Sequence, residues 1–186
     1  RGPGHAVPDP RGAAGPRRRN VRLFIQLSKY TGLRPSEVLR LDTAHFDRRT
    51  LNWSIEVTKT RKRPFWRTIA IPEQVVALLA NEGVCDGPVF KCKSVRESFS
   101  IACQDAQVRI DMKTFRKDFF NRLIESGCPR DLANLHQGRT LGGVDMNHYA
   151  DEGAIVESIR PFVNRMFGGE NRLSVIRPLS GAENNV

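Results

Sequence analysis

Arg34 lies in the run Thr31-Gly32-Leu33-Arg34-Pro35-Ser36-Glu37, between a glycine that can stop one helix and a proline suited to the first turn of the next. A helix start favours anions, so a guanidinium there can share a phosphate with backbone N–H groups. A second cationic pair, Lys113 and Arg116, heads a stretch whose Phe115, Phe119, Phe120, Leu123 and Ile124 recur at helical spacing, with Lys117 beside them. Lys59, Arg61, Lys62 and Arg63 crowd a short segment between two β-rich runs, with Arg67 beyond. Arg139 follows Gly138, and Tyr149 comes ten residues later. Arg stays charged and grips phosphate with a planar fork, Lys can stabilise charge or donate a proton, and a tyrosyl oxygen can attack phosphorus. Those are the groups that breaking a phosphate ester with a protein nucleophile requires.

The chain has two tyrosines. Tyr30 falls on the apolar stripe Leu23, Phe24, Leu27, Tyr30 and reads as core. Tyr149 sits among polar neighbours in Asp145-Met146-Asn147-His148-Tyr149-Ala150, and the Gly142-Gly143 pair before it predicts a segment able to deliver it to a phosphate. The elements that must hold these groups follow from periodicity and breakers. Order begins at Val21, a first helix ends at Gly32, and a second runs over residues 36–41 after Pro35. Residues 51–58 and 65–71 alternate, are rich in β-formers and predict a hairpin across a basic turn, closed by Pro72. Further helices are predicted near 73–82, 94–107, 113–126, 130–137, 142–150 and 152–167, with Gly127, Gly138 and Gly153 at breaks. After Tyr149, Ile155, Ile159, Phe162, Val163, Met166 and Phe167 form another helical stripe. It can pack on its own domain, the favoured reading, or dock into a neighbouring protomer. The fold class expected is mainly α with one small antiparallel β-sheet, an α+β domain without internal repeats.

Composition narrows the partners. The formal charge is +10 and the pI near 10.1, which favours a polyanion, nucleic acid ahead of an anionic membrane surface. Residues 1–19 hold five Arg, one Asp, four Pro and four Gly. Without a hydrophobic period they are expected to form a disordered basic arm, with Arg17, Arg18 and Arg19 contacting phosphates. The remainder still carries +6, so basicity extends through the folded part. No apolar run approaches the roughly 18 residues of a membrane span. Cys85, Cys92, Cys103 and Cys128 form no C-x-x-C pair, and they read as reduced thiols filling small core positions. No metal or cofactor is expected. Residues 20–167 are the expected folded domain and 168–186 a loose tail. The chain opens on Arg1 without Met, which predicts a preceding part.

Around Arg34 the sequence resembles the tyrosine recombinases, in which TGLR-x-x-E-x-x-x-L carries the first catalytic Arg; here it reads Thr31-Gly32-Leu33-Arg34 through Glu37 to Leu41. The resemblance covers roughly residues 20–167 and implies the catalytic-domain fold of that family. It implies that a hairpin lysine protonates the leaving 5′ oxygen, with Lys59 matching best and Lys62 second, while Arg61, Lys62 and Arg63 contact DNA. Most members carry His-x-x-Arg where this chain has Lys113-Thr114-Phe115-Arg116. Lys113 can stabilise charge but is a poorer base at neutral pH than His. His136-Gln137-Gly138-Arg139 also spells His-x-x-Arg, but Arg139 lies only ten residues before Tyr149. Arg116 precedes Tyr149 by 33, the spacing the family pattern needs. The resemblance therefore implies that Arg116 is the second catalytic Arg, that Arg139 fills a later slot, and that His136 is structural or contacts the backbone.

The ordered series Arg34, Lys59, Lys113, Arg116, Arg139, Tyr149 looks most like the integrases of archaeal fuselloviruses and related plasmids. It implies a site-specific recombinase that forms a 3′-phosphotyrosyl bond on duplex attachment sites, acting as a tetramer on DNA in the host cytoplasm at the nucleoid. The preceding part would be a helical domain completing a clamp around DNA. The rivals are a type IB topoisomerase-like relaxation activity, a catalytically inactive DNA-binding module, and a basic interaction domain unrelated to either.

Overall fold

The computed structural model describes residues 15–57, 65–139 and 152–168. Helix α1 spans Pro16–Thr31 and α2 Pro35–Val38; a 3-10 turn at Thr43–His45 leads into β1, Phe46–Asp47. Strands β2 (Asn52–Val57) and β3 (Phe65–Ala70) follow, then α3 (Gln74–Asn81), α4 (Arg96–Asp105), α5 (Thr114–Glu125), α6 (Arg130–His136) and α7 (Glu152–Gly168). The strands form one antiparallel sheet in the order β1-β2-β3, with Trp53 opposite Ile69 and Ile55 opposite Arg67. The expected α+β class and the hairpin are as the sequence predicts. The two-residue β1 was not foreseen, being too short to show alternation.

Two apolar clusters hold the helices. Leu23, Phe24 and Leu27 of α1 pack with Val38, Trp53, Ile69, Val75 and Phe99 in the first. In the second, Phe119 and Leu123 of α5 meet Ala70, Ala133 and the α7 stripe Val156, Ile159, Val163 and Phe167. That stripe therefore packs on its own domain, the favoured of the two sequence readings. Tyr30 bridges the clusters, its ring 5.1 Å from that of Phe167, in keeping with a core role. Cys128 is buried, Cys92 and Cys103 are half-buried and Cys85 is exposed, so the core reading of the thiols fails for Cys85.

Two boundaries depart from expectation. Helix α1 starts at Pro16, so Arg17, Arg18 and Arg19 form its first turns and not the end of an arm. Proline supplies a preset φ at the first helical position, and Arg19 and Arg22 both pair with Glu82 beside the end of α3, at 3.2 and 2.6 Å. Helix α2 stops at Val38, three residues short. The Leu41 carbonyl accepts from Val89 N at 2.9 Å and Asp42 bridges to Pro88, drawing the chain out of the helix.

Gly32 sets the approach that matters most to the site. Its φ is +61°, and a Cβ there would lie 2.4 Å from Cδ1 of Phe119. The end of α1 thus abuts α5, which brings Arg34 beside Arg116. Gly83 has a similar φ of +65° but nothing within 4 Å. Gly83→Ala is expected to cost only the conformational strain, about 1 kcal/mol. Gly32→Ala is expected to cost at least about 2 kcal/mol more, because a packed ring must move. Urea unfolding of the two variants checks this, and equal penalties would mean that the close approach adds nothing.

Candidate active site

At the junction of α2, β3, α5 and the end of α6, one carboxylate meets three guanidiniums. Glu37 is buried; its Oε2 accepts from the backbone N–H of Arg34 at 2.9 Å and its Oε1 from Arg34 Nη1 at 2.7 Å. Arg67 Nη2 donates to Oε2 at 3.1 Å, and Arg116 Nη1 stands 4.0 Å from the same oxygen. Arg116 is turned by two carbonyls, Gly32 O at 3.0 Å and Gln137 O at 2.6 Å, while Gln137 Nε2 returns a bond to Arg116 O at 2.8 Å. Arg34 Nη2 reaches Gly138 O at 3.4 Å, and Arg67 Nη1 donates to His136 O. Because the Arg34 amide is taken by Glu37, the phosphate sharing expected of this helix start falls to the side chains.

The charges do not balance. Burial raises the Glu37 carboxyl, but the Arg67 charge, then the Arg34 hydrogen bonds and charge, outweigh it and hold it below its ordinary value. Arg116 is pushed down to about 10, first by burial and then by the Arg34 charge, against the pull of Glu37. It therefore remains a cation at neutral pH. Among the described residues, one anion faces Arg34, Arg67 and Arg116, with Arg139 close enough to act on Arg116 as well. Such a cluster lacks an anion, and an incoming phosphate would supply it.

Arg34 and Arg116 face an open groove of about 1760 Å³, well above the ~300–1,000 Å³ of small-molecule sites. Ten of its lining side chains are Lys or Arg and one, Asp111, is acidic. Lys113 lies exposed at the start of α5, its amide held by Asp111 Oδ1 at 2.6 Å. The Arg139 guanidinium sits over the Phe120 ring at 4.5 Å. Of the residues singled out in the sequence, Arg34, Lys113, Arg116 and Arg139 line this one groove. Tyr149, Lys59, Arg61, Lys62 and Arg63 lie outside the described residues. Arg17 and Arg18 are exposed on α1, while Arg19 is engaged by Glu82.

His136 is buried, stacked on Phe119 at 5.1 Å, and its Nε2 donates to Ala70 O at 3.3 Å. Burial first, then the Arg67 charge, pushes it down to about 3, against the Ala70 bond. A ring held neutral away from the groove is structural, as the spacing argument expects. The sequence reading passed over Arg67 as a site residue. Its signal was parity: it shares the inward face of β3 with Ile69, where an unpaired charge is not tolerated. It also missed Lys91, Lys93 and Arg96, a basic run that leads into α4 and lines the groove.

No family model matches the chain, and no curated protein matches it in sequence. Among solved structures, the integrase of the mycobacterium phage Brujita superposes with a TM-score of 0.64 at 17% identity, over 89% of this chain and 60% of that one. The XerH site-specific recombinase, in a pre-cleavage complex with its difH substrate, gives a TM-score of 0.52 at 13% identity, over 86% of this chain and 47% of that one. The architecture is the tyrosine recombinase catalytic-domain fold. The chain spans less than two thirds of either structure. Among the described residues, no helix is long and apolar enough to cross a membrane.

The buried groups fix an acid response. The unfolded chain takes up the His136 proton below pH 6.5 whereas the folded chain refuses it until about 3. The stability His136 contributes is thus complete above 6.5 and is lost as pH falls. Glu37, depressed in the folded state, adds a second loss below its ordinary value of 4.5. Urea unfolding from about pH 7 down to about pH 4 is expected to lose up to about 1.4 kcal/mol per pH unit, steepening at the acid end. A flat profile between neutrality and about pH 5 would show that His136 protonates in place.

Proposed function

We propose that this chain is the DNA-breaking and rejoining domain of a site-specific tyrosine recombinase. The observation that carries the reading is the surplus of buried positive charge around Glu37, opening into a basic groove on a recombinase fold. In this reading Arg34, Arg116 and Arg139 surround the non-bridging oxygens of the scissile phosphate, and Lys113 adds charge from the groove edge. The Tyr149 oxygen forms a bond to phosphorus and loses its proton to solvent; the bond to the 5′ oxygen breaks, and Lys59 gives that oxygen a proton, which it regains from solvent. A 5′ hydroxyl from a partner strand then attacks the 3′-phosphotyrosyl bond and frees the tyrosine. The bond energy is conserved in the covalent intermediate, so strand exchange needs repositioning and no hydrolysis of a nucleotide.

Duplex DNA is the partner, and a tetramer on paired sites is the assembly this chemistry needs for exchange. Lys113 and Arg139 in place of the commoner histidines support a place near the integrases of archaeal fuselloviruses. Residues 20–167, extended at the start to Pro16, constitute the catalytic unit.

The test uses nicked duplexes of randomised sequence, end-labelled and resolved on a denaturing gel. The parent is expected to give a slow covalent band, and Tyr149→Phe to lose it by more than about 100-fold, the loss of an attacking nucleophile. A band that persists in Tyr149→Phe would move the nucleophile elsewhere. Retained duplex binding with no adduct from the parent at any salt would favour the inactive binding module.

A further inference from the structure

The Glu37 carboxylate is more fully committed than a paired anion needs to be. Each carboxylate oxygen offers about two lone-pair sites. On Oε2 both are spent, one on the Arg34 amide at 2.9 Å and one on Arg67 Nη2 at 3.1 Å. Arg116 Nη1 faces that same oxygen from 4.0 Å, beyond hydrogen-bond range. Arg34 Nη1 occupies Oε1.

Arg67 itself cannot touch a substrate in the groove. It is 5% exposed and does not line the groove. Its other end is anchored to His136 O, and Gly138, with φ +61°, packs so closely that a Cβ would lie 2.8 Å from Arg67 Nε. The residue is thus locked between β3 and the end of α6, with its free choice of partner reduced to Glu37.

We propose that Arg67 is a positioning residue, which keeps Arg116 available to the substrate phosphate by occupying the carboxylate oxygen that Arg116 would otherwise take. The proposal rests on the recombinase reading only for the identity of that phosphate. Without Arg67, one site on Oε2 opens and a like charge beside Arg116 is removed. Both changes draw the Arg116 guanidinium onto Glu37 in a charge-assisted bond. A cation neutralised in this way binds an incoming anion less well. The arrangement also links β3, through Glu37, to Arg34 and Arg116.

The test measures orthovanadate binding to the full chain by titration calorimetry, with adduct formation on nicked duplexes in parallel. Arg67→Gln is expected to weaken vanadate binding by roughly tenfold, the effect of diverting one charge-assisted contact. Arg67→Lys, which keeps a cation beside Oε2, is expected to stay near the parent. In the double variant Glu37→Gln/Arg67→Gln the capturing carboxylate is gone and the two buried charges leave together. Vanadate affinity is expected to recover toward the parent, an outcome that a purely structural role for Arg67 does not produce. The double variant also keeps the test valid where Arg67→Gln alone does not fold. Parent-like vanadate binding in Arg67→Gln, or a double variant no better than the single or, where that does not fold, still well below the parent, overturns the proposal. Vanadate results as expected with no adduct from the parent would leave Arg67 in this role and sink the recombinase reading instead.

Discussion

One buried carboxylate sets the geometry of this domain's functional face. Glu37 joins α2 to β3 through Arg67 and caps its own helix through the Arg34 amide, and it faces α5 through Arg116. Breaking a buried ion pair by removing one partner costs about 3–5 kcal/mol, chiefly because the remaining charge has nowhere to go. Here three cations would be left at once. The close contact of Gly32 with Phe119, the packing of Gly138 on Arg67 and the short α2 accompany the meeting of guanidiniums from three distant stretches at that one anion.

Much of this was legible in the sequence, and unevenly. The helices that bury a continuous stripe declared themselves through periodicity; α5 begins and ends within a residue of the expected bounds. Arg34 and Glu37 were legible together because a capping arrangement is local, with both partners three residues apart. Arg67 was not, because its partners Glu37 and His136 lie 30 and 69 residues away. The start of α1 was misplaced for the same reason. Arg17 to Arg19 look like a solvated charge run until Glu82, 63 residues from Arg19, is known to meet Arg19 and Arg22. A charge run and a helical first turn share a composition, and only a distant carboxylate separates them.

Where the tyrosine recombinase pattern that this sequence resembles carries histidine, this chain has Lys113 and Arg139. Arg139 rests its guanidinium on the Phe120 ring at 4.5 Å, where the aromatic face stabilises a cation without neutralising it. Under the recombinase reading, proton transfer is left to the leaving-group side of the reaction, and the groove's contribution is electrostatic. Among the described residues beside the cluster, His136 is sealed against Phe119 and held neutral, so it lends shape and no charge.

Burying cations destabilises a fold, which raises the question of why this one tolerates it. Arg116 has 12% of its side chain exposed and Arg34 22%; each has given up most of its water without receiving a full counter-charge. A guanidinium in that state interacts more strongly with an arriving anion than a hydrated one does, because its desolvation has already occurred and its direction is already fixed. The backbone carbonyls of Gly32 and Gln137 aim Arg116 without neutralising it. Glu37 supplies enough negative charge to let the cluster fold, and too little to satisfy it. Under the recombinase reading, free energy withheld from stability in this way becomes available when a phosphate enters, where the negative charge on its non-bridging oxygens during bond exchange meets cations already in place.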